Sequence, residues 1–170
     1  MTQLGLEVRI RPVCPDDAPG VARLLNELIA TAAPIAFDAP LTEAAERSYI
    51  AAFPERGVFL VAVAPDDSLI GFQSLEPFAT STHLFDHVGV IGTYVDPRYQ
   101  RRGVAARLFT ETLETAKAKG YEKIFTYIRA DNPAALAAYA KQGFEVIGRA
   151  RRHAKVEGRY VDELMVELFL

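Results

Sequence analysis

The chain carries one cysteine, Cys14, no tryptophan, two methionines and three histidines in 170 residues. A lone cysteine excludes an intrachain disulfide and a cysteine-based zinc site, and it points to a reducing, cytoplasmic setting. With no base beside it in the sequence, Cys14 reads as structural rather than nucleophilic. Nowhere do about 18 apolar residues run together, so no membrane span is expected. The opening MTQLGLEVRIRP has no basic head followed by an apolar core, so no signal peptide is expected either. Nineteen basic residues stand against 22 acidic ones, a net charge of −3, which argues against a surface that tracks nucleic acid or anionic membrane. Anion binding in such a chain must be focused at one place.

Half of the residues are hydrophobic, enough to fill the core of one globular domain spanning residues 1–170. Residues 6–13 alternate apolar and charged side chains, which predicts a half-buried first strand. After PDDAPG, Val21, Leu24, Leu25, Leu28 and Ile29 recur at helical spacing. Residues 31–54 hold three prolines and a short helical stretch, LTEAAERSYIAAF, with Thr42 as its cap. VFLVAVA (58–64) and SLIGFQSLEP (68–77) read as a hairpin within a sheet covered on both faces. A third strand follows over 87–95. Residues 103–119 return to helical period with Gly120 just past the end. A strand at 123–130, a short helix after Asn132-Pro133 and two strands joined at Glu157-Gly158 complete the order βα(α)βββαβαββ. This is an α/β (α+β) domain built on a mixed sheet of about seven strands, with helices on both faces.

The chemistry concentrates in VIGTYVDPRYQRRGVAARL (90–108). About four amides at a helix start lack intrahelical partners, and the helix dipole makes that end partly positive. Phosphate binds there only if the local side chains are small, which is what Gly103 and Ala105 provide, with Val104 turned to the core. Arg101 and Arg102 add field. A nucleotide P-loop would need Lys followed by Ser or Thr, and a dinucleotide fold would need GxGxxG after the first strand; both are absent.

The run from Gln100 to Ala105, namely Gln, two residues, Gly, one residue, Ala, resembles the cofactor segment of the GCN5-related N-acetyltransferase (GNAT) superfamily. NPAALAAYAKQGF (132–144), an Asn, a Tyr seven residues later and a Gly-Phe entering a strand, is similar to the family's second cofactor motif. The resemblance implies a GNAT domain whose central strands splay apart around acetyl-CoA as cosubstrate. It implies that Thr93, Tyr94 and Val95 pair with the pantetheine arm, that Gln100, Arg101, Arg102, Gly103, Val104 and Ala105 hold the pyrophosphate, and that Asn132 binds the arm. It further implies that Tyr139 protonates the departing thiolate. The tail GRYVDELMVEL (158–168) is similar to that of small-molecule members acetylating amino-acid-like herbicides and polyamines.

A base must take a proton from the acceptor ammonium, because only a free amine has a lone pair to attack a thioester. The family's usual glutamate positions hold Val90 and Tyr127. His87, Glu76 and Asp86 lie on or near the strands that should face the acceptor, and His87 is preferred because its ordinary pKa is nearest neutrality. The expected activity is direct acetyl transfer to a primary amine of a small molecule. The expected partners are that amine and, at most, a second copy of the chain in a homodimer; nucleic acid, membrane and metal are not expected. Three other readings remain open: a non-catalytic acyl-CoA sensor, favoured by the missing glutamate; an acetyltransferase acting on a protein N-terminus or lysine; and a metal-dependent hydrolase using His83 and His87 in HLFDH. The basic run RARRHAK (149–155) reads as a solvated edge strand.

Overall fold

A computed structural model describes residues 7–170; Leu6, placed in the first strand by its alternation, lies outside the described residues. Seven strands form one sheet: β1 (Arg9–Pro12), β2 (Val58–Val63), β3 (Leu69–Pro77), β4 (Val88–Val95), β5 (Lys123–Arg129), β6 (Glu145–Val156) and β7 (Arg159–Phe169). Their spatial order is β1-β2-β3-β4-β5-β7-β6. Four helices accompany them, α1 (Ala18–Ala30), α2 (Glu43–Ala51), α3 (Val104–Ala118) and α4 (Pro133–Lys141). The predicted order of elements is reproduced throughout.

Strand β2 explains why the sheet is covered twice. All its residues are buried, and they alternate between two cores: Val58, Leu60 and Ala62 pack with α3, whereas Phe59, Val61 and Val63 pack with α1. The period of two distributes one apolar run between both faces. Helix α1 turns Val21, Leu24, Leu25 and Leu28 inward, while α3 turns Val104, Leu108, Phe109 and Ala116 to the opposite face. Burying each such side chain contributes roughly 1.5–3 kcal/mol. Thr42 caps α2 by accepting from the Ala45 amide at 3.1 Å. Glu157 and Gly158, both with positive φ, close the β6–β7 hairpin.

All neighbouring strands pair antiparallel except β4 and β5, whose parallel register covers only Val88↔Lys123, Gly89↔Ile124 and Val90↔Phe125. Beyond Val90 the two strands diverge, and the β5-facing edge of β4 from Ile91 to Val95 has no ladder partner. The splayed central strands expected from the sequence are present.

Candidate active site

The cradle sits at the end of the unpaired half of β4. Asp96, almost completely buried, accepts from the backbone amide and the guanidinium of Arg98 at 2.6–3.2 Å. The Arg98 hydrogen bond holds the Asp96 carboxyl below the usual carboxylate range, against the opposing effect of burial. This fixes a one-turn 3-10 segment, Pro97–Tyr99, that aims the chain back toward α3. Arg101 (φ 58°) and Gly103 (φ 84°) both adopt left-handed backbone. A non-glycine residue in that region stores of order 1–3 kcal/mol of strain, and such residues cluster at ligand sites.

The first bond of α3 runs from the Arg107 amide to the Gly103 carbonyl at 3.1 Å, so the amides of residues 101–106 donate to no protein acceptor among the described residues. A Cβ built on Gly103 would meet nothing within 4 Å, which leaves open space in front of those amides. Val104 is buried, as expected, while Gln100, Arg101 and Arg102 are exposed. The Arg102 guanidinium lies 5.7 Å from the Tyr99 ring centroid, so part of its charge is spent locally.

On the α3 face, Tyr139 is 6% exposed, wedged edge-on against Phe109 and Phe144. Its hydroxyl lies 2.9 Å from Thr93 Oγ1, and Thr93 Oγ1 accepts from Gln73 Nε2 at 2.8 Å. Burial pushes the Tyr139 phenol well above its ordinary pKa, with the Thr93 hydrogen bond opposing, so the phenol holds its proton. Gln73 is fully buried and its Oε1 has no partner among the described residues. With Nε2 donating to Thr93, the Thr93 hydrogen is free to point at the Tyr139 oxygen, and the Tyr139 hydrogen at the notch. Asn132 caps α4, its Oδ1 accepting from the Ala135 amide at 3.0 Å, while Nδ2 donates to the Pro34 carbonyl at 3.3 Å. Its amide therefore ties α4 to the loop after α1.

The opposite face holds a cleft of about 680 Å³ against Val90, Gly92 and Tyr94 of β4 and Thr126 of β5, so it opens on the splay. Its walls are aromatic: Phe72 stacks on Tyr94 with ring centroids 4.7 Å apart, and Tyr49 packs edge-on to Phe53 at 5.6 Å. Tyr94 thus presents backbone to the notch and its ring to the cleft. Burial, aided by the charges of Glu76 and Glu46, raises its phenol pKa to about 12. Glu76 lines the cleft and accepts from the Tyr49 hydroxyl at 2.6 Å.

The three candidates for the base fall in different places. Glu76 is in the cleft, directly paired with Val90. His87 is exposed, one residue before β4, and does not line the cleft. Asp86 is engaged outside it, with Arg56 at 3.2 Å and His83 at 2.9 Å. HLFDH forms a single 3-10 turn, His83–Phe85, leading into β4, not a helix that would set both histidines on one face. Among the described residues no group of three or more His, Cys, Asp and Glu is placed to hold a metal. RARRHAK lies on β6 at the edge of the sheet, where Arg152 and Lys155 lie over Tyr160 of β7 and His153 stacks on Tyr127 of β5.

A parallel strand pair that opens into a notch, free backbone amides at its mouth and a buried, protonated phenol beside it are arranged to receive an extended, phosphate-bearing ligand. The comparisons agree. The Acetyltransferase (GNAT) family model matches residues 22–144. The chain is 26% identical over 160 residues, 92% of each chain, to a phosphinothricin N-acetyltransferase of Streptomyces coelicolor. It is 23% identical over 169 residues, 97% of this chain and 96% of the other, to an L-methionine sulfoximine/L-methionine sulfone acetyltransferase of Pseudomonas paraeruginosa. A phosphinothricin acetyltransferase from Sinorhizobium meliloti, solved in complex with acetyl-CoA, superposes with a TM-score of 0.87 at 18% identity, covering 96% of this chain and 88% of that one. The chain belongs to the GNAT family of acetyltransferases and uses acetyl-CoA as its cosubstrate. The free amides, the open space at Gly103 and the unpaired edge of β4 fit that ligand.

Proposed function

We propose that the protein acetylates a primary amine of a small molecule by direct transfer in a ternary complex, with Glu76 as the base and Tyr139 as the acid. The observation that carries this assignment is the opposition of the two groups across the splay. Glu76 and Val90 share the cleft face, three residues out of phase with Gln73 and Thr93, which share the Tyr139 face. Acceptor amine and leaving group thus meet the notch from opposite sides.

When bound, acetyl-CoA supplies the activated acetyl thioester. The amides of residues 101–106 hold its phosphates and the free edge of β4, Thr93 to Val95, aligns its arm. Glu76, directly or through one water, takes the proton from the acceptor ammonium. Tyr139 donates its proton to the departing sulfur, a role that typically contributes about 10²–10⁴-fold. A small acceptor is supported by the size of the aromatic-lined cleft, about 680 Å³, and by the amino-acid-like substrates named for the relatives in Streptomyces and Pseudomonas. The missing glutamate at Val90 favoured a non-catalytic sensor; Glu76 standing opposite removes that support. The test is mass analysis of the products: an amine gaining one acetyl group only when amine and acetyl-CoA are both present supports the assignment. An acetylated enzyme formed without amine would refute direct transfer.

A further inference from the structure

We infer that Glu46 is an anchor for a second cationic centre of the acceptor, so that the preferred substrate is an amine carrying another ammonium group and no carboxylate. The inference rests on the acetyltransferase reading and narrows its substrate.

Glu46 stands in the first turn of α2 and is 6% exposed, yet its carboxyl has no ion pair or hydrogen bond among the described residues. It lines the cleft together with Glu76, and burial pushes its pKa up. A largely buried carboxylate gains from a cation beside it, because partial desolvation penalises the charged form. Among the described residues the Glu46 side chain is unpaired, and it lines a space large enough for a ligand. The same cleft is lined by the rings of Tyr49, Phe59, Phe72 and Tyr94, and aromatic faces attract an ammonium ion within about 6 Å of a ring centroid. No lysine, arginine or histidine is among the described residues lining the cleft. An amino-acid acceptor would therefore bring its carboxylate against two glutamates with no cation to receive it. A diamine has complementary charge at both ends: one nitrogen faces Glu76 at the splay, the other reaches Glu46 on α2.

The experiment compares butylamine, putrescine and ornithine as acceptors with the full-length protein and acetyl-CoA. These share a similar reach and differ by the second ammonium and the added carboxylate. The expected result is a kcat/KM for putrescine at least about tenfold above both others, with the putrescine-to-butylamine ratio falling close to one in Glu46→Gln. Ornithine used as well as putrescine, or a ratio unmoved in Glu46→Gln, overturns the inference while leaving the acetyltransferase reading intact. No amine-dependent thiol release with any of the three amines would instead count against that reading. In that case calorimetric titration of putrescine in the presence of coenzyme A decides: heat lost in Glu46→Gln supports the anchor, and equal heat in both proteins overturns it.

Discussion

Glu76 on β3 and Val90 on β4 are direct cross-strand partners, so their side chains leave the sheet on the same face at neighbouring points of the cleft. Cβ atoms in such a pair lie about 4.5–5.5 Å apart. A carboxylate on either residue reaches the same region, and this chain carries it on the neighbouring strand.

Glu76→Gln is therefore expected to lower kcat/KM at neutral pH by roughly 10²–10⁴-fold, with acetyl-CoA affinity within about threefold of the parent. Adding Val90→Glu to that variant should restore part of the lost rate, because the register returns a carboxylate to the same face. Steady-state kinetics of the single and double variants check both points; a double variant no better than Glu76→Gln contradicts the shared position.

Tyr139→Phe should reduce turnover by about 10²-fold or more while acetyl-CoA binding, read by calorimetry, stays close to the parent. The phenol also predicts a pH dependence of stability. Its pKa is raised in the folded state, so above its ordinary value of about 10 the unfolded chain loses a proton that the folded chain keeps. Stability then falls as pH rises, by about 1.4 kcal/mol per unit for this residue. Urea midpoints measured from about pH 8 to 11 should decline less steeply in Tyr139→Phe.

Gln73 is the donor behind the Thr93 hydroxyl that meets Tyr139. Gln73→Leu removes the donor that fixes the Thr93 hydroxyl, allowing the Tyr139 proton to turn inward to Thr93. The expected outcome is a lower kcat with little change in KM for acetyl-CoA, beside a stability loss of about 1–3 kcal/mol. A purely structural role would leave kcat of the folded protein unmoved.

The backbone at Gly103 is left-handed while the space beside it is open. Gly103→Ala should therefore destabilise by about 1–2 kcal/mol through conformation alone, lowering Tm by roughly 2–8 °C. Gly103→Glu adds a carboxylate in front of the free amides and should weaken acetyl-CoA binding by at least about tenfold, whereas Arg102→Ala, whose guanidinium sits over Tyr99, should weaken it less. Calorimetric Kd values separate these effects.

Local signals carried the fold a long way. The apolar run of β2, the periodicity of α1 and α3, the Thr42 and Asn132 caps and the Glu157-Gly158 turn each act within a few residues, and each appears where the pattern placed it. The cradle was legible for the same reason, since its small residues and free amides are contiguous. The choice of base was not: the sequence offered Glu76 beside His87 and Asp86, and ordinary pKa favoured His87, whereas the β3–β4 register, which no single strand encodes, sets Glu76 in the cleft. Nothing in the sequence singles out Glu46, and its burial emerges only when α2 packs beside α1 and β2. Gln73 looks like an ordinary polar residue in a strand until Thr93 and Tyr139 meet it from β4 and α4.

The most direct test of the account is the initial rate of thiol release from acetyl-CoA with a saturating primary amine, in the parent protein and in Glu76→Gln. The account predicts amine-dependent release by the parent at neutral pH and a rate at least about 10²-fold lower in the variant. Equal amine-dependent rates in the two proteins, with both folded and both binding acetyl-CoA, would contradict it.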